Sequence, residues 1–407
     1  MLRHAQTFAV VMDLINLNNP KRVLLSLSSI LFFTLILIVV CLKIFGSSEE
    51  RAKNSKINDS SNLELSLVSE IGGKDGFLFG RISNAIVSAN GTVIAADWKK
   101  LSLEQFDKNG RHIGTIASNG RGPGEIQSFF YIFLVDENSV IVSHDGAIDL
   151  INYYKRNENG VFTYSNSWLP KKNKKYFVDI VQAITKSKYY AFIKQKKLPI
   201  DEDYKKAQFT YKILSVVDKE KELISNELHE LKEPNSIVDF EGGSMKYIGM
   251  PPFQSQDRFR YIDNGQYVIG RPDSSKLFFY DDNHNLFKTV YLQLDRERVT
   301  KEDIEYFFKS NSYSTENRSR IESRIPLFKP SFLNFWITKN KIYLNTDINE
   351  KGKEITMMNM KGEFIGIFFI SKFDRIQEIK NDTIYTVYQH PNRGYRIRLY
   401  GIDNHPN

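Results

Sequence analysis

Short runs of alternating hydrophobic and polar residues recur along most of the chain, separated by turns rich in Asn, Asp, Gly and Lys. In the clearest copy, residues 81–118, the pattern predicts strands at Ile82–Ser88, Thr92–Ala96, Ser102–Phe106 and His112–Ala117. Asn90-Gly91 and Asn109-Gly110 lie between strands and supply the positive φ angles that tight hairpins require. The segment therefore predicts one small sheet of four antiparallel strands.

Five later parts of the chain repeat this unit, each with an apolar strand, a polar turn and two further strand-like runs. These parts are residues 132–168, 179–197 with 209–225, 258–292, 333–370 and 375–402. Tandem copies of one small sheet are typical of radial β-architectures. The sequence thus predicts an all-β fold over residues 63–402, a six-bladed β-propeller of four-stranded antiparallel blades.

Two shorter segments complete this fold prediction. Leu63–Ile71 alternates polar and apolar residues, and we expect it to complete the last blade and close the ring, which removes an exposed strand edge. A seventh blade would require this segment to be more than a closing strand. Thr300–Asp303 resembles a capping box, and Ile304, Phe307 and Phe308 share one helix face, so a short helix is expected there.

The N-terminal region has a different pattern. Val23–Leu42 is a run of 20 residues without charge, about 30 Å long as a helix, which matches the thickness of a bilayer core. Lys21 and Arg22 place the N-terminus in the cytoplasm by the positive-inside rule. The domains predicted around this run and at the C-terminus are a cytoplasmic segment (1–22), a transmembrane anchor (23–45), a flexible tether (46–62) and a tail (403–407).

The anchor prediction has two alternatives. A cleavable signal peptide would have a shorter apolar core ending in small residues, whereas Val39 and Val40 precede Cys41 here. A lipoprotein anchored through Cys41 is the second alternative, although bulky residues before the cysteine depart from its usual signal. Both the anchor prediction and the lipoprotein alternative place the propeller outside the cytoplasm, in the periplasm or at the cell exterior.

Charge and cysteine usage limit the chemistry. The formal net charge is +8, part of it beside the hydrophobic run and the rest spread over loops, so nucleic-acid binding is not expected. Cys41 is the single cysteine, which excludes a disulfide or a cysteine-ligated metal within the folded part.

Residues 112–129 resemble the bacterial six-bladed propeller family of TolB-like or NHL-like type. The similarity lies in a blade-ending strand that runs into G-x-G-P-G-E, here Gly120, Gly122, Pro123, Gly124 and Glu125, after Phe106–Gly110. The resemblance implies the propeller fold and an exported location. It does not imply a mechanism.

Candidate site residues follow from the blade topology. The loops after the second and fourth strands of a blade emerge on one face, where propellers usually carry their sites. Nine candidate ligand-binding residues are predicted on that face: Asp97, Arg121, Glu125, His144, Asp145, Lys194, Arg271, Asp347 and His390.

Each of these positions has a structural interpretation as well. The aspartates are also typical turn caps, and the Gly120–Glu125 loop is either an anion-binding nest or a crowded turn. His144, Asp145 and His390 are weak candidates for a metal such as Ca²⁺ or Zn²⁺, because no paired-ligand spacing is present. No cofactor is predicted.

Repeats without a catalytic motif favour a binding or scaffold module for a peptide, a glycan or a partner protein of the cell envelope. The alternative is a metal-assisted hydrolase or lyase of the lactonase-like or lyase-like propeller type.

The anchor and propeller predictions can be tested by removing the residues before position 46. The shortened chain should be soluble and rich in β-structure by far-UV circular dichroism, because the apolar run is lost and the blades are kept. An insoluble or mainly helical product would contradict this domain organisation.

Overall fold

Six antiparallel four-stranded sheets surround a central channel, which confirms the predicted six-bladed propeller. The computed structural model describes residues 63–73, 77–144, 150–169, 176–195, 209–218, 227–241, 244–390, 392 and 394–403. The predicted cytoplasmic segment, anchor and tether lie outside these residues. Within the described ranges, no helix is long and apolar enough to cross a bilayer.

Strand β1 (Glu64–Ile71) precedes the first three blades. Blade 1 contains β2 (Ile82–Val87), β3 (Val93–Asp97), β4 (Ser102–Phe106) and β5 (His112–Ala117). Blade 2 contains β6 (Phe130–Asp136), β7 (Ser139–His144), β8 (Ile151–Arg156) and β9 (Phe162–Trp168). Blade 3 contains β10 (Tyr176–Ala183), β11 (Lys188–Gln195), β12 (Phe209–Asp218) and β13 (His229–Pro234).

A hairpin and two helices are inserted in the second half. The hairpin is β14 (Ile237–Glu241) and β15 (Ser244–Gly249), and blade 4 is β16 (Arg258–Tyr261), β17 (Tyr267–Arg271), β18 (Lys276–Tyr280) and β19 (Leu286–Tyr291). Helices α1 (Lys301–Ser310) and α2 (Thr315–Glu322) follow. Blade 5 is β20 (Asn334–Ile337), β21 (Lys341–Asn349), β22 (Gly352–Asn359) and β23 (Phe364–Ile370), and the last strands are β24 (Asp374–Lys380), β25 (Thr383–His390) and β26 (Gly394–Asp403).

The strands of blade 1 agree with the prediction to within a residue. Gly91 and Gly110 both have φ of +84°, the left-handed conformation that the Asn-Gly turns were expected to supply. Ser88 falls just outside β2, because its hydroxyl bonds to the Asn90 side chain and the Thr92 carbonyl within the turn. Local turn chemistry therefore sets these strand ends.

Blade 6 combines both ends of the propeller, as predicted: β1 pairs antiparallel with β26, in the sheet order β1-β26-β25-β24. Glu70 on β1 reinforces the pairing, because one carboxylate oxygen bonds to Arg396 and the other lies 2.7 Å from Arg398 Nε. Burial raises the pKa of Glu70, but the hydrogen bonds and charges of the two arginines outweigh it and hold that pKa below its usual value.

One hydrophobic cluster fills each of the six gaps between neighbouring blades. Each gap buries at least one large side chain to 1% exposure or less. From the gap between blades 6 and 1 onward, these side chains are Phe106, Phe130, Tyr189, Tyr267, Phe335 and Phe368. The ring is therefore stabilised by sheet-to-sheet packing at every junction, including the one that closes it.

Helix α1 begins at the predicted capping box, in which the Thr300 side chain accepts from the Asp303 backbone and Asp303 accepts from the Thr300 N–H. Its apolar face packs on the hairpin β14–β15 and on α2, in a small cluster around Phe308 and Ile321. The sequence did not predict the hairpin or α2. The apolar face of the helix thus packs on an insertion.

Blade 3 also differs from the prediction. Its last strand was expected within residues 209–225, but β13 begins at His229. Strand β13 pairs with the outer edge of β12, where Leu231 lies opposite Lys212. Leu231 is fully buried.

Replacing Glu70 with Gln should weaken ring closure at neutral pH. Loss of the charge removes the carboxylate that Arg396 and Arg398 share and leaves Arg398 with Asp374 at 3.6 Å, which should cost about 1–3 kcal/mol in urea unfolding. Glu158→Gln, in an exposed turn, is the matched control.

The same pair of variants gives a pH test. A carboxyl with a lowered folded-state pKa contributes stability above its ordinary value of 4.5, and that contribution is lost as the pH falls through the folded-state pKa. The difference between wild type and Glu70→Gln should therefore shrink below pH 4.5. A difference that stays constant with pH would contradict this role of Glu70.

Candidate functional site

The channel cavity is a space of about 1030 Å³ lined by the second halves of the innermost strands. All six blades contribute, for example through Val87, Leu134, Gln182, Arg260, Trp336 and Glu378. It extends to the turns that join first and second strands, such as Asp263–Gly265 in blade 4. Those turns lie at the opposite end of the blades from the predicted candidate face, because adjacent strands are antiparallel.

Polar side chains connect the innermost strands, whose backbones do not pair with one another. Ala85 N–H donates to Gln377 Oε1 at 3.2 Å, and Val87 N–H donates to Glu378 Oε2 at 3.2 Å. Gln377 is the extra residue of a β-bulge in β24, which re-aims side chains of that strand. The chain therefore places polar groups in the channel to satisfy backbone groups that would otherwise be buried without partners.

Polar and apolar side chains contribute about equally to the walls of the cavity. Phe133, Tyr190, Tyr261 and Trp336 provide aromatic surface. The charged residues other than Arg260 and Glu378 are Asp136, Glu137, Asp263, Asp282, Lys188 and Lys380. A concave site that combines aromatic surface with convergent polar groups is a candidate ligand site.

Arg260 and Glu378 are opposite charges on two innermost strands, β16 and β24. Burial lowers the pKa of the Arg260 guanidinium to about 10, an effect that the Glu378 charge opposes, so Arg260 stays a cation at neutral pH. Burial also raises the pKa of Glu378. The charge of Lys380, the hydrogen bond from the Val87 N–H and the charge of Arg260 oppose this increase. Of the ion pairs between described residues, none joins these two side chains within 4.0 Å.

A cluster of tyrosine and histidine rings supports the wall between blades 3 and 4. His229 Nε2 lies 2.8 Å from the Tyr267 hydroxyl, and Tyr190 donates its hydroxyl proton to the Gly265 carbonyl at 2.7 Å. Burial, followed by the charges of His284 and Arg271, lowers the pKa of His229 to about 4. His229 is therefore neutral at physiological pH, and the cluster fixes the turn at Gly265 beside the cavity.

The predicted candidates lie elsewhere, and Asp97 is used by the fold. Its carboxylate is fully buried and accepts four backbone N–H groups, from Gly80, Arg81, Lys99 and Lys100, at 2.6 to 3.2 Å. This matches the turn-capping interpretation of the residue.

The Gly120–Glu125 loop uses its own carboxylate. Glu125 Oε2 accepts from the Gly122 N–H at 2.6 Å, and a Cβ at Gly120 would collide with the same carboxylate. The Gly124 carbonyl accepts from Tyr154 Oη at 2.7 Å, which connects the loop to blade 2. The Gly122 amide thus binds a carboxylate from within the loop, and Arg121 is exposed.

The other candidates have local contacts. Arg271 Nε is 3.9 Å from Asp257 Oδ2, Asp347 accepts from Asn349, and His390 Nδ1 accepts from the Asn392 N–H. Asp145 and the side chains of His144 and Lys194 lie outside the described residues.

The described candidates are not joined to one another. No hydrogen bond or ion pair in the described part of the chain connects two of them. That part also contains no group of three or more His, Cys, Asp or Glu side chains able to hold a metal ion.

The channel cavity lies outside the predicted face, because the predicted candidates are at the ends of the second strands whereas the cavity is lined by the first strands. A usable signal was present in the first strands, where polar residues interrupt apolar runs at Arg258 and Arg260 in blade 4 and at Gln377 and Glu378 in blade 6. In a radial array these strands line the channel, so polar residues on them mark its interior.

No protein-family profile matches the chain, and no curated protein matches it. Among solved structures it is similar to a protein described as exported, from Bacteroides fragilis NCTC 9343, with 14% identity and a TM-score of 0.47 over 86% of this chain and 98% of that one. It is also similar to a DUF4221 family member from Bacteroides vulgatus ATCC 8482, with 13% identity and a TM-score of 0.46 over 84% of this chain and 99% of that one. The similarity to virginiamycin B lyase from Staphylococcus aureus has 9% identity and a TM-score of 0.40, over 84% of this chain and 100% of that one. At these TM-scores the similarities carry no statement about function.

Glu378→Gln should change how stability depends on pH. A carboxyl whose folded-state pKa is raised favours folding below its ordinary value of 4.5 and loses that contribution as the pH rises through the folded-state pKa. Glu378→Gln does not lose stability in this way as the pH rises, because its amide does not ionise. The amide oxygen still accepts from the Val87 N–H. Its urea-unfolding free energy, relative to wild type, should therefore increase as the pH is raised from 4.5 toward neutrality. Glu350→Gln, at an exposed turn, is the control, and a parallel pH dependence in all three proteins would contradict the assigned environment.

Proposed function

We propose that this chain is a membrane-anchored binding module of the bacterial cell envelope, and that the channel cavity is its ligand site. The channel cavity itself is the observation that supports this most strongly. Its lining combines apolar, aromatic and charged side chains from six different blades. A ligand there would be contacted from all sides by a rigid scaffold, which favours selective binding without a large ordering cost.

The cellular location in this proposal comes from the sequence. The uncharged run Val23–Leu42 behind Lys21 and Arg22 supports an anchor with the propeller outside the cytoplasm. The G-x-G-P-G-E loop supports a relation to TolB-like or NHL-like propellers. A lipoprotein anchored at Cys41 would give the same placement of the propeller. The ligand classes in this proposal are a peptide, a glycan and an exposed segment of a partner protein.

Blocking the channel cavity should reduce ligand binding. Lys188 lines the cavity with an exposed side chain at the start of β11, so Lys188→Trp adds bulk without disturbing the core. Lys155→Trp, on β8 and away from the cavity, is the matched control. Pools of short peptides and of oligosaccharides are screened by the shift in melting temperature, since a ligand at a hundredfold excess over Kd stabilises the folded state by about 2.7 kcal/mol.

At least one pool should raise the melting temperature of wild type and Lys155→Trp, and raise that of Lys188→Trp less. If no pool has an effect, or if all three proteins respond equally, the channel cavity is not the ligand site.

The metal-dependent hydrolase or lyase stays the alternative to this proposal, with His390 as the described candidate ligand. The same melting measurement, with chelator and then Ca²⁺, Zn²⁺ or Mn²⁺ restored, tests it. A metal-dependent rise would support the alternative and direct mutagenesis to His144, Asp145 and His390.

A further inference from the structure

Arg260 has unused hydrogen-bonding capacity inside the channel cavity. A guanidinium carries five N–H donors. The one hydrogen bond that Arg260 makes with the described residues is long, from Nη2 to Asn334 Oδ1 at 3.4 Å. Arg258, two residues earlier on the same strand, instead uses Nε to donate to the Leu333 carbonyl at 2.8 Å. Arg258 thus serves the fold, while Arg260 keeps most of its donors.

Aromatic rings position the Arg260 guanidinium without using its donors. It lies 5.2 Å from the ring centre of Trp336 and 5.9 Å from that of Phe335. Cation–π contacts at these distances favour this position of the guanidinium and use none of its N–H groups. The Arg260 side chain therefore loses little further conformational entropy when a ligand binds.

Trp336, the nearer of the two rings, also belongs to the cavity wall. The residue lines the channel cavity and is 5% exposed. Its Nε1 is buried and has no hydrogen-bond partner among the described residues. Because the Nε1 atom is buried, a ligand in the cavity would contact the ring of Trp336 rather than this N–H.

We propose that the channel cavity binds the C-terminal carboxylate of a peptide, with Arg260 as the carboxylate-binding residue; this rests on the function proposed above. Arginine pairs with carboxylates through two parallel charge-assisted hydrogen bonds, which suits its planar fork. The surrounding apolar side chains, such as Phe133, Tyr190 and Val216, suit the aliphatic part of a terminal residue.

A sugar acid shares the carboxylate but fits these walls less well. Its ring hydroxyls would need hydrogen-bond partners against Phe133 and Val216, and an unmet hydroxyl is costly to bury. The apolar part of the lining, which includes Phe133 and Val216, is therefore the basis on which we choose a peptide end over a glycan.

The test uses the full-length chain with Trp98→Phe and Trp168→Phe, so that Trp336 alone reports by fluorescence. The probes are N-acetyl-L-leucine, its carboxamide and glucuronate. N-acetyl-L-leucine should bind at least about tenfold more tightly than the other two. Arg260→Gln should remove this preference, Arg260→Lys should give an intermediate affinity because it keeps the charge without the fork, and Arg111→Gln, at an exposed turn, should leave the affinity unchanged.

Equal binding of N-acetyl-L-leucine and its carboxamide, or unchanged binding in a folded Arg260→Gln or Arg260→Lys protein, overturns the role of Arg260. Tighter binding of glucuronate overturns the peptide assignment. If neither leucine probe binds while another ligand is blocked by Lys188→Trp, this inference fails and the proposed function stands. If Lys188→Trp affects no ligand, the proposed function fails.

Discussion

The pairing of β1 with β26 is the constraint on which the rest of the structure depends. Each blade buries one side against the next, and the ring has no exposed end only because the first strand of the propeller completes the last blade. The Glu70 interaction with Arg396 and Arg398 lies within this pairing and couples its stability to charge. The gap between blades 6 and 1 is filled as completely as the other five, since Ile71 and Phe106 are both buried there. Closure therefore fixes the position of all six innermost strands.

The channel follows from this geometry. Six strands that face one another across a channel cannot pair their backbones, so side chains such as Asn84, Gln182 and Gln377 bond to backbone groups of adjacent blades. Those polar groups, together with Arg260 and Glu378, give the channel its chemistry. The same residues thus serve both stability and the proposed binding site.

Local signals explain how much of the fold could be predicted from the sequence. The Asn-Gly turns of blade 1, the capping box at Thr300 and the alternation in Glu64–Ile71 are each encoded within a few residues, and each prediction was confirmed. The hairpin β14–β15 and α2 were not predicted, since they are stabilised by contacts such as that of Arg320 with Asp239, which are distant in sequence.

The site was harder to predict for the same reason. The channel cavity brings together residues as far apart as Val87 and Glu378, and no spacing in the sequence reports that proximity. Predicted candidates such as Asp97 are polar residues at strand ends, where an aspartate also serves as a turn cap. Their ligand-binding roles stay predictions.

Ring closure can be measured most directly with an engineered disulfide between Ser66→Cys and Gly401→Cys, in a chain with Cys41→Ser. These positions are partners in the β1–β26 pairing, and a Cβ at 401 would lie 3.2 Å from Ser66 Oγ, close enough for a disulfide. The disulfide is predicted to form fully under mild oxidation and to raise stability by about 2–4 kcal/mol. Cysteines that stay reduced, or an oxidised protein that melts no higher than the reduced one, would contradict the closed six-bladed ring.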